Sequence, residues 1–346
     1  MHAGPGWSRA SLLLSFVISA CPPANTGPEP SETSGDEIMF PDEAERRDAE
    51  SSAPPASAEV RQAESLLARG EAEEALSVLE QAVAGNPADP RAQLDLGLAY
   101  EMTNDSRRAE AAYRAAIEAS PEFPEAHNNL GLLLRNLERY DEAAAALREA
   151  VRLRSDYASA HVNLALTLEE AGDRTAAVEA YRLAVRFAPR DALSRINLGL
   201  LLLEEGNEAQ AAIELRRGLP LAQGDPAALQ AVGNGLRRAG QPEAAARAMR
   251  LAVEAVGDEV TPALLAELAL ALRAANAREE AEATLERALE LDPSYATAHY
   301  LLGNMRAGRG AFDEAIGHYR QYLRLAPDGP HAEIARERLE RARAAR

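Results

Sequence analysis

A 34-residue period constrains this chain more than any other feature. PEAHNNLGLLL from Pro124, ASAHVNLALTL from Ala158 and ALSRINLGLLL from Ala192 repeat one pattern at that spacing. A fixed period of this length marks stacked supersecondary units, each burying a face on its neighbours. Extending the register gives unit starts at Ala56, Pro90, Pro124, Ala158, Ala192, Pro226, Pro262 and Ala296, with one interval, Pro226 to Pro262, of 36 residues.

Counting each start as position one, two positions are always small. Position eight holds Ala63, Gly97, Gly131, Ala165, Gly199, Gly233, Ala269 and Gly303. Position twenty holds Ala75, Ala109, Ala143, Ala177, Ala211, Ala245, Ala281 and Ala315. Small side chains at two fixed offsets let paired helices approach closely. Between them, position fifteen is Gly70, Gly172, Gly206, Gly240 or Gly310, or else Asn104 or Asn276, residues that tolerate the left-handed turn ending a helix. Only Glu138 departs. Proline closes five units, at Pro87, Pro121, Pro189, Pro293 and Pro327.

This pattern closely resembles the tetratricopeptide repeat. Leu96, Gly97, Tyr100, Ala109, Tyr113 and Pro121 carry the motif in unit two, and Leu302, Gly303, Ala315, Tyr319 and Pro327 in unit eight. The resemblance spans 56–329 and implies an all-α superhelical solenoid of eight antiparallel helix pairs. Such a fold needs no bulky central core, which suits a chain only 4% aromatic. Two irregularities interrupt it. Gly218-Leu219-Pro220 should stop the second helix of unit five early, and unit six gains two residues around Gly257-Asp258-Glu259. Both imply a change of pitch between about 217 and 261, either a hinge or a kink. Residues 330–346 read as a C-terminal capping helix, with Ile334, Ala335, Leu339 and Ala342 on one side.

Residues 1–20 have Arg9 ahead of the apolar run Leu12, Leu13, Leu14, Phe16, Val17 and Ile18, too short to span a bilayer. They read as a signal peptide ending Ile18-Ser19-Ala20-Cys21. That ending resembles a bacterial lipobox, which implies cleavage, lipidation of Cys21 and a membrane anchor; the alternative is an ordinary secretory signal. Cys21 is the only cysteine, so no disulfide can form within the chain. Residues 21–55 are an acidic, proline-rich segment, with nine acids against two arginines, expected to be a disordered tether with a span of roughly 30–35 Å. Its Ile38-Met39-Phe40 cluster is either a docking motif or a chance apolar run.

Catalytic patterns are missing from the sequence, so no enzyme is expected and no cofactor or metal. His127, His161 and His299 each stand at position four without other ligand residues at metal spacing, which assigns them to packing. Gly308-Arg309-Gly310 ends a helix and lacks the strand and Gly-Lys-Ser/Thr of a phosphate loop. Net charge is −18. With the tether holding nine acids against two arginines and the leader one arginine, about −12 falls on the array, which disfavours nucleic acid.

The resemblance implies a concave groove lined by the first helix of each unit. Asn129, Asn163 and Asn197 stand at position six of three successive units, and related arrays hold an extended peptide with asparagines at this position. An amide side chain offers the donors and acceptor that a peptide backbone requires. Leu98, Leu132, Leu166, Leu200 and Leu270 at position nine add an apolar stripe. The alternative is that these residues serve internal packing. Position five (Leu94, Asn128, Val162, Ile196) has no lysine for a carboxylate clamp. The expected protein is therefore a lipid-anchored, periplasm-facing scaffold binding a protein or extended peptide in its groove. Relatives of this shape serve pilus-secretin assembly or adapt cell-wall enzymes and proteases. The competing expectation is an enzyme whose site carries no recognisable motif.

Overall fold

The computed structural model describes residues 56–346. The signal peptide, Cys21 and the tether lie outside the described residues. Within them the chain is helical throughout, with seventeen α-helices and no strand. Eight pairs follow one another: α1 (Ala58–Ala68) and α2 (Ala72–Gly85), α3 (Pro90–Met102) and α4 (Ser106–Ala119), α5 (Pro124–Asn136) and α6 (Tyr140–Leu153), α7 (Ala158–Glu170) and α8 (Arg174–Phe187). Then come α9 (Ala192–Glu204) and α10 (Glu208–Gly218), α11 (Pro226–Arg238) and α12 (Pro242–Val256), α13 (Pro262–Ala274) and α14 (Arg278–Leu291), α15 (Ala296–Gly308) and α16 (Phe312–Leu325). The last helix, α17 (Ala332–Ala345), packs on α16. Each pair packs on itself and on the next, as a solenoid requires, and the core runs along the stack in successive clusters.

The small positions explain the pairing. All eight alanines at position twenty are fully buried. A Cβ added to Gly199 would lie 2.6 Å from Leu215 Cγ, and one added to Gly303 would lie 2.8 Å from the Tyr319 ring. These partners fall sixteen residues on, where Leu79, Tyr113, Leu147, Tyr181, Leu215, Met249, Leu285 and Tyr319 fill the gap between paired helices and are buried in turn.

Every first helix ends in one way. The N–H at position sixteen donates back to the carbonyl at position eleven, from Glu71 to Leu66 at 3.0 Å through to Ala311 to Arg306 at 3.0 Å. That closure forces position fifteen into the left-handed region. Glu138 complies, with φ of 60°, as do Asn104 and Asn276. The departure seen in the sequence at Glu138 is thus one of residue type and not of backbone.

The two irregular stretches behave as their residues dictate. Helix α10 has 11 residues where α8 has 14, and the chain continues as a 3-10 turn over Leu219–Ala222. Helix α12 runs 15 residues and passes through Gly257, at φ 61°, into a second 3-10 turn over Gly257–Glu259. Between them Gly235 brings α11 close to the preceding unit, since a Cβ there would meet Leu215 Cδ1 at 2.7 Å and Leu200 Cδ2 at 3.1 Å.

Candidate binding groove

Positions two, five, six and nine fall on one side of each first helix, because they recur at the i+3 and i+4 spacing. The first helices also touch one another directly, α1 with α3, α5 with α7, and α9, α11, α13 and α15 in succession. These contacts join the aligned sides into three stretches, α1–α3, α5–α7 and α9–α15.

Position six reaches back to the preceding unit. Asn163 Nδ2 donates to Asn128 Oδ1 at 2.9 Å. Glu267 Oε2 accepts from Gln230 at 2.7 Å and from Asn234 at 2.9 Å. A position-six side chain therefore meets positions five and nine one unit back.

This register places the three asparagines. Asn129 Oδ1 accepts from Asn128 Nδ2 at 3.1 Å, so Asn129, Asn128 and Asn163 are chained across two units. The Oδ1 of Asn163 and the Nδ2 of Asn129 are left over for another partner. Asn197 has Val162 and Leu166 at the facing positions, which offer it nothing polar. All three asparagines are half-buried, whereas Asn128 is buried. Leu98, Leu132, Leu166 and Leu200 are also half-buried, and the last two pack partly against the main core. Asn129 and Asn163 are thus partly engaged within the protein. Asn128 joins the site although position five is apolar in the units on either side, at Leu94 and Val162. A register of each helix against the one before it would have exposed that link; reading one unit at a time could not.

The groove's ends differ. At the first, Asp95 occupies position six of unit two, and the facing residues on α1 are Val60 and Glu64. Glu64 is taken by Arg91, with Nη2 at 2.6 Å. Asp95 is only 9% exposed, and its Oδ2 is enclosed without a hydrogen-bond partner. Burial, with Glu64 adding to it, pushes the Asp95 carboxyl up to about 7. Further along, Arg135 lies 3.8 Å from Glu170, whose carboxyl is raised by burial and held back by that guanidinium. At the far end Asn304 accepts from Tyr319 OH at 2.9 Å and from Arg338 of α17. A cavity of about 340 Å³ remains there, with Phe312 and Arg341 among its walls.

The histidines at position four have a definite task. His127, His161 and His299 each direct Nε2 to a carbonyl six residues earlier, of Pro121, Ser155 and Pro293, at 2.9, 2.8 and 3.2 Å. Gln93 and Arg195 make the same contact, with Pro87 at 3.0 Å and Pro189 at 2.9 Å. A carbonyl only accepts, so each imidazole carries its hydrogen on Nε2. Units six and seven, which follow the 3-10 turns, put buried Leu229 and Leu265 there instead. Among the described residues no group of three or more His, Cys, Asp or Glu could hold a metal ion, and no helix is long and apolar enough to cross a membrane.

A family model described as tetratricopeptide repeat matches residues 60–106, 103–158, 129–192, 162–226 and 266–330, together more than half of the chain. No curated relative matches the sequence. Among solved structures, PilF of Pseudomonas aeruginosa is 21% identical, covering 60% of this chain and 94% of its own, with a TM-score of 0.48. YrrB, described as a TPR protein with an unusual peptide-binding site, is 21% identical over 57% of this chain and 97% of its own, with a TM-score of 0.46. MamA from Desulfovibrio magneticus RS-1 is 21% identical over 49% and 99%, with a TM-score of 0.44.

Proposed function

We propose that this chain, which belongs to the tetratricopeptide repeat family, is a non-catalytic scaffold that receives an extended segment of a partner protein along the stripe of its first helices. Proteins of this fold generally mediate protein–protein contacts. One observation carries the reading to these residues: half-buried amides at Asn129, Asn163 and Asn197 keep polar atoms that the protein does not satisfy, beside the half-buried Leu98, Leu132, Leu166 and Leu200. A peptide backbone supplies both missing groups at each residue, and its side chains supply apolar surface for the leucines. Neither cofactor nor nucleic acid enters the reading.

The anchor belongs to the same proposal. Lipidated at Cys21 and followed by an acidic tether, the array would stand off a bacterial membrane and face the periplasm, where it assembles an envelope complex. Several acyl chains hold stably, since each buried methylene contributes about 0.8 kcal/mol. One experiment tests both halves. Photocrosslinkers replacing Leu132 and Leu166 should capture a partner from membranes, whereas one at the exposed Glu179 of α8 should not. The same chain should incorporate a fatty-acid analogue, and Cys21→Ser should not. Capture at Glu179 alone would move the partner off the groove, and equal labelling of Cys21→Ser would remove the lipid anchor.

A further inference from the structure

Of the two acidic residues at position six, Asp95 and Glu267, only Asp95 meets no donor on the preceding first helix. Asn163 and Glu267 find donors or acceptors on the preceding first helix, Asn128 for the one and Gln230 with Asn234 for the other. Asp95 finds an aliphatic side chain, Val60, and a second carboxylate, Glu64. The nearby guanidinium of Arg91 is bonded to Glu64 through Nε at 2.8 Å and Nη2 at 2.6 Å. Asp89 adds a further negative charge nearby, its Oδ1 committed to the first N–H groups of α3. Among the described residues no hydrogen bond reaches Asp95, and its Oδ2 is fully enclosed. Burying a carboxyl nine-tenths without a donor is costly, and the cost falls when a cation arrives.

We infer that this notch between α1 and α3, formed by Asp95 and Glu64, is the receptor for one basic side chain, arginine or lysine, of the partner segment lying in the groove. The inference rests on the groove reading and gives it a direction. Asp95 stands one unit before Asn129, in the same position of its helix. A segment whose backbone follows the asparagines therefore carries its basic residue at the end nearest α1. A guanidinium suits the notch best, because its planar fork can meet two carboxyl oxygens at once. Charge complementarity at this end also supplies selectivity. Neutral segments leave the carboxyl unpaired, and acidic ones are repelled by Glu64, Asp89 and Asp95 together.

Selection of random twelve-residue peptides displayed on phage, against the full chain, tests this. The expected peptides share an arginine or lysine at one fixed place. Replacing that residue by citrulline, a neutral shape-match for arginine, should weaken binding to the parent about tenfold or more. Against Asp95→Asn the same replacement should cost clearly less, leaving only what Glu64 contributes, which isolates the pair with Asp95. The citrulline arm uses the unaltered protein, so it stands even where the variant is difficult to prepare. Selected peptides with no shared basic residue overturn this inference and leave the groove standing. No selected peptide at all removes the groove reading, and this inference with it. A basic preference that emerges only with Arg46→Gln and Arg47→Gln places the chain's own segment in the notch and overturns the assignment to a partner.

Discussion

Glu138 holds the left-handed conformation that glycine or asparagine holds in every sibling unit. A residue with a Cβ is strained there by about 1–2 kcal/mol, whereas glycine loses some of that gain through its greater freedom when unfolded. Glu138→Gly should therefore stabilise the array by about 0.5–1 kcal/mol in denaturant unfolding. An unchanged or lower midpoint would mean that Glu138 makes a contact worth as much as the strain. Asp95 gives the opposite kind of case. Its folded carboxyl titrates at about 7 against 3.8 when free, so folding favours the protonated form. The stability it contributes is complete below about pH 4 and is lost as pH rises through 7. Compared with Asp95→Asn, the parent should lose up to about 4 kcal/mol of relative stability between pH 4 and 8. A difference that stays flat with pH would show a carboxyl that is not desolvated. The small residues at positions eight and twenty were legible in the sequence because sterics leave them no freedom. The state of Asp95 was not, because it depends on what one helix places opposite another.

At the scale of elements, the helix hairpin is set by two contacts that repeat and one that adapts. Positions eight and twenty set the approach of the paired helices, and position twenty-four fills the space. Ala177 is fully buried on α8. Ala177→Leu should cost about 1–3 kcal/mol, since three added carbons must enter a close helix contact. Because each unit leans on its neighbours, the loss should broaden thermal unfolding as well as lower its midpoint. A midpoint equal to the parent's would mean that α7 and α8 do not approach there. The adaptable contact is position four. It hydrogen-bonds the preceding loop wherever that loop has the regular form, and becomes leucine after each 3-10 turn. The sequence displayed the histidines in register but not their acceptor, since a backbone carbonyl leaves no mark in the residue pattern. His299 also meets His318, Nδ1 to Nδ1 at 3.0 Å, and burial lowers both imidazoles. Since His299 keeps its hydrogen on Nε2 for Pro293, its Nδ1 accepts, so His318 is the donor between them and the His299 ring is neutral.

For the whole molecule, the repeat explains why fold was easier to read than function. A solenoid's stability is a sum over units, so every unit must carry the same signature, and eight copies make it plain. A binding stripe needs no such repetition. It draws one residue from each unit, and its meaning changes with the neighbour: Asp95, Asn129, Asn163, Asn197 and Glu267 share a position yet meet five different settings. The central claim is that the asparagines hold a partner's backbone. Alanine at Asn129 and Asn163 would strand the buried Asn128, whereas replacing that residue too by the kind of side chain its siblings carry (Leu94, Val162, Ile196) removes both partners together and is close to neutral. The decisive measurement is thus the affinity of the crosslinked partner for the variant Asn128→Val, Asn129→Ala, Asn163→Ala, Asn197→Ala, taken beside its thermal midpoint. The expected midpoint is near the parent's, with stability changed by no more than about 1 kcal/mol, and affinity should fall at least about tenfold. A variant that folds like the parent and binds its partner as tightly would contradict the claim.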